Sequence, residues 1–268
     1  MSETLHVACV QMSSSDSLAR NLSLASHYIR QAANTGAELI LLPENFSWMG
    51  EQGATFNPES IHVVTYFLGE CAKNYHMWIV AGSILWTDNV NEKPFNRSLI
   101  INPQGEICDY YDKIHLFEAV LGHESWKESN HIQAGKKPTI CDVTDDWRVG
   151  LSICYDLRFP HLYQFYANHG CNILTVPAAF TEETGQAHWQ VLLQARAIEN
   201  QCYVLAAAQI GEHVDGRHTY GHSMIIDPWG NIMALQEDGE GVIHAELSLD
   251  FIDRVNKKLP MTKAGAKQ

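Results

Sequence analysis

The sequence contains few basic residues: 18 lysines and arginines stand against 31 aspartates and glutamates, and the formal net charge is −13 at pH 7. This balance argues against nucleic acid or an anionic membrane surface as a partner. No stretch approaches the roughly 18 consecutive apolar residues that a membrane-spanning helix needs. The N-terminal sequence MSETLHVACVQM lacks the basic region and long apolar stretch of a secretory signal. We therefore expect a soluble, cytoplasmic protein with no nucleic-acid or membrane partner.

Closely spaced cysteine pairs are also missing. The seven cysteines lie at positions 9, 71, 108, 141, 154, 171 and 202, and no two have C-x-x-C spacing. This pattern indicates neither a disulfide framework nor a zinc ribbon, and reduced thiols fit a cytosolic protein best. The histidines at 115, 123 and 131, and those at 213, 218 and 222, lack the i, i+4 pairing with an acid that is typical of zinc hydrolases. The residues therefore predict no metal site.

What the sequence does contain is a strand–helix–strand pattern, in a chain that is 46% hydrophobic. Residues 5–12 predict a strand, Asp16 is placed to cap the helix that follows, and AELILLP (37–43) predicts a buried strand. These segments make a βαβ unit, in which the strands are expected to pair in parallel. A predicted strand at 148–153 and a helix at 160–169 begin a second unit of the same kind.

An internal repeat supports two similar halves. GAELILLPENF (36–46) returns as GCNILTVPAAF (170–180), with the glycine, proline and phenylalanine at matching positions. The turns INPQG (101–105) and IDPWG (226–230) each predict a hairpin. Because no linker rich in proline, glycine or serine separates the halves, we predict one domain over residues 1–268.

Polar side chains stand where several of these strands end. Glu44 follows the strand of the first repeat, Cys154 follows the strand at 148–153, and Lys113 ends a β-rich run. In open α/β sheets, ligands bind beyond the carboxyl ends of the strands. Phe180 marks a further strand end, and the repeat places Ala178 at the position equivalent to Glu44. The turn itself therefore does not require a carboxylate, which favours a functional role for Glu44.

Cys154 has two interpretations. A single free cysteine is more often a small buried hydrophobe than a nucleophile. A thiol of pKa about 8.5 needs a nearby cation or base to act as a nucleophile at neutral pH. Glu44 has the chemistry to take the thiol proton and return it to a leaving amine. Lys113 and the backbone N–H of Tyr155 have the chemistry to stabilise an oxyanion.

The motifs around these residues resemble those of the nitrilase superfamily of carbon–nitrogen hydrolases. The matching stretches are LLPENF, YDKIHLF, GLSICYDLRFP, ETGQAHWQVLLQARAIENQCYVLAAAQIG and YGHSMIIDPWG, in fixed order over nearly the whole chain. The resemblance implies an α/β fold, a four-layer α-β-β-α sandwich, and a homodimer. It also implies a metal-free and cofactor-free hydrolase of small-molecule amides that works through a thioester, with Glu44, Lys113 and Cys154 as its triad.

The resemblance implies a second glutamate between the lysine and the cysteine. KESNHIQAG supplies Glu128, which would orient Lys113, and its spacing to Gly135 fits the family pattern. A second Glu–Ser pair places Glu124 in competition for the same role. We favour Glu128.

Within the family, CYDLRF, AAF and TGQAHW resemble the members that hydrolyse the keto-acid form of glutathione to 2-oxoglutarate and cysteinylglycine. By this resemblance Arg158 binds the keto-acid carboxylate, with Phe180, Thr184 and Tyr155 in the same pocket. A guanidinium that forks onto a carboxylate suits this role. The alternative for Arg158 is a structural ion pair with a neighbouring carboxylate such as Asp156.

Three further alternatives remain. The related enzymes that hydrolyse ω-amides of 2-oxo acids share part of these motifs. A cysteine–histidine hydrolase would use His161 or His222 as its base. A non-catalytic scaffold of the same fold would bind a metabolite without turning it over, and its Cys154 would react with iodoacetamide no faster than the other cysteines.

Overall fold

Two β-sheets form the centre of the protein. A computed structural model describes residues 3–51, 57–89, 91–121, 124–214 and 216–261 of the chain. In chain order the strands and α-helices are β1 (Thr4–Gln11), α1 (Leu18–Asn34), β2 (Leu39–Leu41), α2 (Glu59–Tyr75), β3 (Trp78–Val80), β4 (Ile84–Trp86), β5 (Phe95–Ile101), β6 (Ile107–Asp112), β7 (Glu118–Leu121), β8 (Glu124–Lys127), β9 (Ile140–Asp142), β10 (Arg148–Leu151), α3 (Pro160–Asn168), β11 (Ile173–Ala178), α4 (Glu182–Asn200), β12 (Tyr203–Ala208), β13 (Ile210–Glu212), β14 (His218–Tyr220), β15 (Ser223–Ile226), β16 (Ile232–Gln236), β17 (Gly241–Ser248) and α5 (Leu249–Lys258). Two short 3₁₀ helices lie at Glu128–Asn130 and Cys154–Arg158.

The two sheets repeat one topology. The first has the order β17-β1-β2-β3-β5-β4, with β6 paired to β5, and the second has the order β16-β15-β12-β11-β10-β9. The pairs β1–β2 and β10–β11 are parallel, as the βαβ pattern predicts. INPQG and IDPWG form the turns of the hairpins β5–β6 and β15–β16, as predicted. The C-terminal strand β17 pairs with β1, so the first sheet contains strands from both ends of the chain.

The layers follow from the alternation of side chains along the strands. On β1, Val7 and Cys9 belong to the hydrophobic core that the two sheets share, whereas Ala8 and Val10 pack in the core with α1 and α2. Because successive residues of a strand point to opposite faces, one strand contributes to both cores. Helices α3 and α4 cover the other face of the second sheet, where Tyr166 and Trp189 are buried. The predicted four-layer α-β-β-α sandwich is therefore confirmed.

The cap of the first helix differs from the prediction. Helix α1 begins at Leu18, and the residue before it, Ser17, has extended backbone angles and accepts a hydrogen bond from Arg20 N through its side chain. Asp16 lies one residue too early for this position and is exposed. Within the described part of the chain, no helix has the length and apolar character needed to cross a membrane.

Candidate active site

Cys154 lies in a sharp turn between β10 and α3. The strand ends at Leu151, and Cys154 begins the 3₁₀ helix Cys154–Arg158 with a positive φ of 49°. Only a few per cent of residues other than glycine adopt this left-handed conformation, and such strained positions cluster at functional sites. The turn leaves the cysteine side chain 7% exposed at the wall of a cavity.

A buried carboxylate holds this turn against the strand end that carries the lysine. Asp156 is fully buried and accepts hydrogen bonds from the N–H of Ile153 at 2.9 Å and the hydroxyl of Tyr111 at 2.8 Å. It also accepts the backbone N–H and ring Nδ1–H of His115 at 3.0 and 2.6 Å. Asp156 is therefore occupied by residues other than Arg158, so the ion pair between Arg158 and Asp156 is not formed.

Three charged side chains meet beside the cysteine. The ammonium Nζ of Lys113 lies 2.9 Å from Glu44 Oε1 and 2.9 Å from Glu128 Oε2. Glu44 and Lys113 are only 3% and 2% exposed, which makes this a buried ion-pair cluster. The backbone N–H of Ala179, directly after β11, donates to Glu44 Oε2 at 2.9 Å. The two carboxylates therefore flank one cation at the end of β6.

Glu128 reaches the cluster from the 3₁₀ helix Glu128–Asn130. Its Oε2 accepts the N–H of Phe117 at 2.7 Å, and its own N–H donates to the carbonyl of Phe117 at 2.9 Å. Gly135 N donates to the carbonyl of Lys113 at 2.8 Å, and a Cβ at Gly135 would lie 2.0 Å from the carbonyl oxygen of Asp112. Glycine is thus required for this close approach. The side chain of the competing Glu124 lies outside the described residues.

Burial, more than the neighbouring charges, keeps Cys154 protonated. Burial raises the pKa of the Cys154 thiol well above its ordinary value and the Glu44 carboxylate raises it further, whereas Lys113 opposes the shift. Burial alone lowers the pKa of Lys113, but Glu128 and Glu44 outweigh it and hold that pKa well above its usual range. At neutral pH the site therefore contains a thiol and an ammonium group. A thiol in this state needs a base in order to attack a carbonyl.

Sequence reasoning missed Asn96. Its side chain lies 2% exposed on β5, and its Nδ2 donates to Glu44 Oε1 at 2.9 Å and to Glu128 Oε1 at 3.3 Å. The signal that would have found it is the INPQG turn. The hairpin around this turn pairs β5 with β6 and thus brings Asn96 beside Lys113, whose N–H donates to the Asn96 carbonyl at 2.9 Å.

One cavity of about 690 Å³ joins these groups to the predicted binding residues. The residues singled out from the sequence that line it are Glu44, Lys113, Glu128, Cys154, Tyr155, Arg158, Phe180 and Thr184. Its volume is typical of small-molecule sites, which range over about 300–1,000 Å³. The structure therefore brings together every residue that we assigned to the site.

The binding residues form one wall of the cavity. The Arg158 guanidinium lies 5.2 Å from the ring centre of Phe180 and 5.7 Å from that of Tyr155, and it donates to His188 Nδ1 at 3.3 Å. Arg158 is half-buried. Its contacts named above are two aromatic rings and an imidazole, none of which carries a negative charge. The guanidinium therefore brings a positive charge into the cavity.

The two histidines considered as alternative bases lie outside the cavity. His222 Nδ1 contacts the carbonyl of Tyr220 at 2.8 Å, and His161 stands edge-on to His115. Neither His161 nor His222 lines the cavity with Cys154. Within the described ranges, no three histidine, cysteine, aspartate or glutamate side chains are grouped so that they could hold a metal ion. His123 lies outside the described residues.

Comparison with known proteins agrees with this geometry. The family "Carbon-nitrogen hydrolase" matches residues 6–257. The deaminated glutathione amidase of Synechocystis sp. (strain PCC 6803 / GT-S) is 42% identical over 259 residues, which cover 94% of this chain and 95% of that protein. The deaminated glutathione amidase of Mus musculus is 37% identical over 264 residues, covering 95% of this chain and 81% of that protein.

Two solved structures are similar over nearly the whole chain. Saccharomyces cerevisiae Nit3, described as a member of branch 10 of the nitrilase superfamily, has a TM-score of 0.86 and 31% identity, and the match covers 100% of this chain and 98% of that one. The Caenorhabditis elegans NitFhit protein has a TM-score of 0.86 and 35% identity, over 96% of this chain and 64% of that longer one.

The sandwich fold, the site at its strand ends and these similarities define a hydrolase of carbon–nitrogen bonds other than peptide bonds. The chain belongs to the carbon–nitrogen hydrolase family.

Proposed function

We propose that the chain hydrolyses a linear amide through a thioester on Cys154, and that its substrate is deaminated glutathione. The observation that carries the mechanism is the arrangement of Glu44. Its Oε1 is occupied by Lys113 and Asn96, its Oε2 accepts the N–H of Ala179, and the carboxylate interacts with the thiol of Cys154. We assign Oε2, the oxygen not bonded to Lys113 or Asn96, to receive the thiol proton.

In the first half-reaction, Sγ of Cys154 attacks the amide carbonyl carbon as the thiol proton moves to Glu44. The negative charge that develops on the carbonyl oxygen is stabilised by Lys113 and by the N–H of Tyr155. This N–H lies at the start of a 3₁₀ helix, where backbone donors are not used by the helix itself. The carbon–nitrogen bond then breaks, Glu44 protonates the leaving amine, and the acyl group remains on sulphur.

The second half-reaction returns the enzyme to its starting state. Glu44 takes a proton from a water molecule, and the resulting hydroxide attacks the thioester carbonyl. The carbon–sulphur bond breaks, the carboxylic acid leaves, and the thiolate of Cys154 takes back a proton from Glu44. Glu128 keeps the charge on Lys113 through both steps, because it holds the ammonium from the side opposite Glu44.

The substrate assignment rests on Arg158 and on the cavity. A keto-acid carboxylate bound to the Arg158 guanidinium would place the amide at Cys154, four positions earlier in the same turn. The curated relatives named deaminated glutathione amidase support this choice. On this substrate the acid released is 2-oxoglutarate and the amine is cysteinylglycine.

The alternative substrates are the ω-amides 2-oxoglutaramate and 2-oxosuccinamate, which carry the same keto-acid group. The cavity of about 690 Å³ favours the larger substrate, because it extends past Cys154 and Arg158 to Trp48 and Lys93. A five-carbon monoamide leaves most of this space unfilled. We keep one domain over residues 1–268, a homodimer and a cytoplasmic location as predictions.

A panel of amides tests the proposal. We expect kcat/KM to fall in the order deaminated glutathione, 2-oxoglutaramate, 2-oxosuccinamate, and then a neutral amide such as propionamide, measured as release of the acid or the amine. Enzyme quenched during turnover should carry an acyl adduct on the peptide that contains Cys154. An adduct on another residue contradicts the mechanism, and equal rates for charged and neutral amides contradict the substrate. If no amide is hydrolysed and iodoacetamide labels Cys154 no faster than the other cysteines, the scaffold alternative is correct.

A further inference from the structure

Asn96 is the one neutral side chain that bridges the two glutamates of the site within the described residues. Its two Nδ2 hydrogens are directed to Glu44 Oε1 and Glu128 Oε1, at 2.9 and 3.3 Å. Lys113 bridges the same two carboxylates from its own side. The four side chains therefore form a closed ring in which each carboxylate accepts one ammonium and one amide donor.

The orientation of the Asn96 amide follows from its neighbours. Rotating it by 180° would bring Oδ1, which only accepts hydrogen bonds, against two carboxylate oxygens that also only accept. In the observed orientation Oδ1 has no hydrogen-bond partner among the described residues, although Asn96 is 2% exposed. An unpartnered buried carbonyl is costly. An apolar side chain at this position would avoid the cost of the unpaired carbonyl. We therefore take the two Nδ2 donors to be the functional groups of Asn96.

We propose that Asn96 is a positioning residue, which fixes the orientation of the Glu44 carboxylate beside Cys154 through its hydrogen bond to Oε1. This role rests on the proposed function of Glu44 as the base. Asn96 acts through Glu44 and does not itself exchange a proton. With Oε1 held by both Asn96 and Lys113, the carboxylate is not free to rotate and present Oε1 to the thiol.

The charges that face Glu44 explain why this donor matters. Lys113 at the end of β6 is the cation of the cluster, Glu128 from its 3₁₀ helix is a second anion, and the Cys154 thiol comes from the turn after β10. From β11, the group that faces Glu44 is the uncharged N–H of Ala179. Two carboxylates thus share one ammonium group. The Asn96 amide is the further donor that both carboxylates contact, so its loss leaves Lys113 as the one side chain that joins them among the described residues.

Two variants separate the effect of the Asn96 amide donors from the effect of its side-chain shape. Asn96→Leu keeps a similar volume and removes both donors. Asn96→Asp keeps the shape, removes a donor and adds a third carboxylate to the cluster. Ser98→Ala is the matched control, because Ser98 lies two residues further along the same strand, is fully buried and has a hydroxyl with no partner among the described residues.

The first readout is the pH dependence of Cys154 alkylation by iodoacetamide, which needs no amide substrate. We expect alkylation to be slower in Asn96→Leu across the profile, because Glu44 is no longer held beside the thiol. In Asn96→Asp we expect the acid limb to move to higher pH by about one unit or more, because like charges oppose ionisation. In turnover, kcat should fall about tenfold or more with KM within about threefold of wild type, since a donor to a charged group is lost. Ser98→Ala should match wild type in both measurements.

Profiles of both Asn96 variants that coincide with wild type overturn the proposal, even if their melting temperatures fall. If Asn96→Leu does not fold, the Asn96→Asp profile decides alone, because that variant keeps the shape of the side chain. A failure of the proposed function is distinguishable from this result. In that case wild type shows no acyl adduct on Cys154, while the alkylation profiles still report whether Asn96 controls the reactivity of the thiol.

Discussion

The strand ends of the two sheets can be compared position by position, because β1, β2 and β6 of the first sheet correspond to β10, β11 and β16 of the second. The internal repeat, the parallel registers and the two hairpin turns give three pairs of equivalent residues. These pairs are Met12 with Cys154, Glu44 with Ala178, and Lys113 with Asp238. Met12 and Ala178 are buried, and Asp238 is exposed. The same backbone plan therefore carries different side chains in its two halves.

The difference shows which half of the chain supplies each chemical group of the site. The first half contributes the carboxylate and the ammonium group, whereas the second contributes the thiol, the guanidinium of Arg158 and a backbone donor. This donor is Ala179 N, which follows the repeat equivalent of Glu44 and binds Glu44 Oε2. The carboxylate and the ammonium group thus come from one half and the nucleophile from the other, so the site exists only where the two sheets meet. Variants in each half show whether its groups have these separate roles.

The largest effect is expected at the cysteine of the second half. Cys154→Ala should abolish amide hydrolysis without unfolding the protein, because it removes the atom that forms the thioester. The measurements are turnover, circular dichroism and the mass of the quenched enzyme. Cys108→Ala, which removes an exposed thiol from β6, is the control and should keep full activity. An active Cys154→Ala variant would place the nucleophile elsewhere.

The carboxylate of the first half should come next. Glu44→Gln keeps the size of the side chain but cannot accept a proton, so kcat should fall about 10²–10⁴-fold, the usual contribution of a general base. Glu70→Gln on the exposed face of α2 serves as the control. A loss of less than tenfold would move the role of base to another residue.

The ammonium group of the first half should have a somewhat smaller effect. Lys113→Met removes the charge at similar length, and loss of one oxyanion donor costs about 10²–10³-fold in kcat. The variant should also melt at a lower temperature, because Glu44 and Glu128 are left facing each other without a cation. Lys73→Met, which removes an exposed lysine, controls for general loss of charge. Retention of most activity would assign oxyanion stabilisation to other donors.

A smaller and substrate-dependent effect is expected at Arg158. A hydrogen bond to a charged group is worth about 1.5–3 kcal/mol, so Arg158→Met should lower kcat/KM for a 2-oxo-dicarboxylate amide roughly 10- to 150-fold. A neutral amide, which has no carboxylate to bind, should scarcely be affected. Arg148→Met, at an exposed ion pair in the same half, is the control. If the ratio of the two kcat/KM values changes by less than threefold, Arg158 does not bind the carboxylate.

No effect is expected from chelation. Glu44, Lys113 and Cys154 provide a base, an electrostatic stabiliser and a nucleophile, so dialysis against EDTA should leave the rate unchanged while iodoacetamide abolishes it. The comparison is made on one preparation, before and after dialysis. Chelator sensitivity that zinc reverses would contradict this expectation and direct attention to the histidines.

The internal repeat and the hairpin turns were sufficient to predict the strand ends that carry Glu44, Lys113 and Cys154. The error at the N-terminus of α1 was local, because Asp16 and Ser17 are both good capping residues and the choice depends on where the helix begins. The eight predicted site residues line the same cavity, while their roles stay predictions until the variants are measured.

The long-range contacts of Asn96 and Asp156 were beyond sequence reasoning for a physical reason. Asn96 contacts a glutamate 52 positions away, and Asp156 contacts a tyrosine 45 positions away, through hydrogen bonds shorter than 3 Å. Such contacts depend on how two separate strand ends pack against each other, which no local pattern reports. The same holds for Arg158, since its alternative partner Asp156 was taken by His115 and Tyr111 only once the chain had folded.

Short-range patterning thus specified the elements, their order and the polar residues at the strand ends, because apolar periodicity and turn chemistry act over a few residues. Packing of the two sheets decided the rest: which backbone donor binds Glu44, which second glutamate contacts Lys113, and which neutral side chain joins the two carboxylates. These details depend on distances of about 3 Å between residues far apart in the chain. Only the assembled sandwich sets distances of that kind.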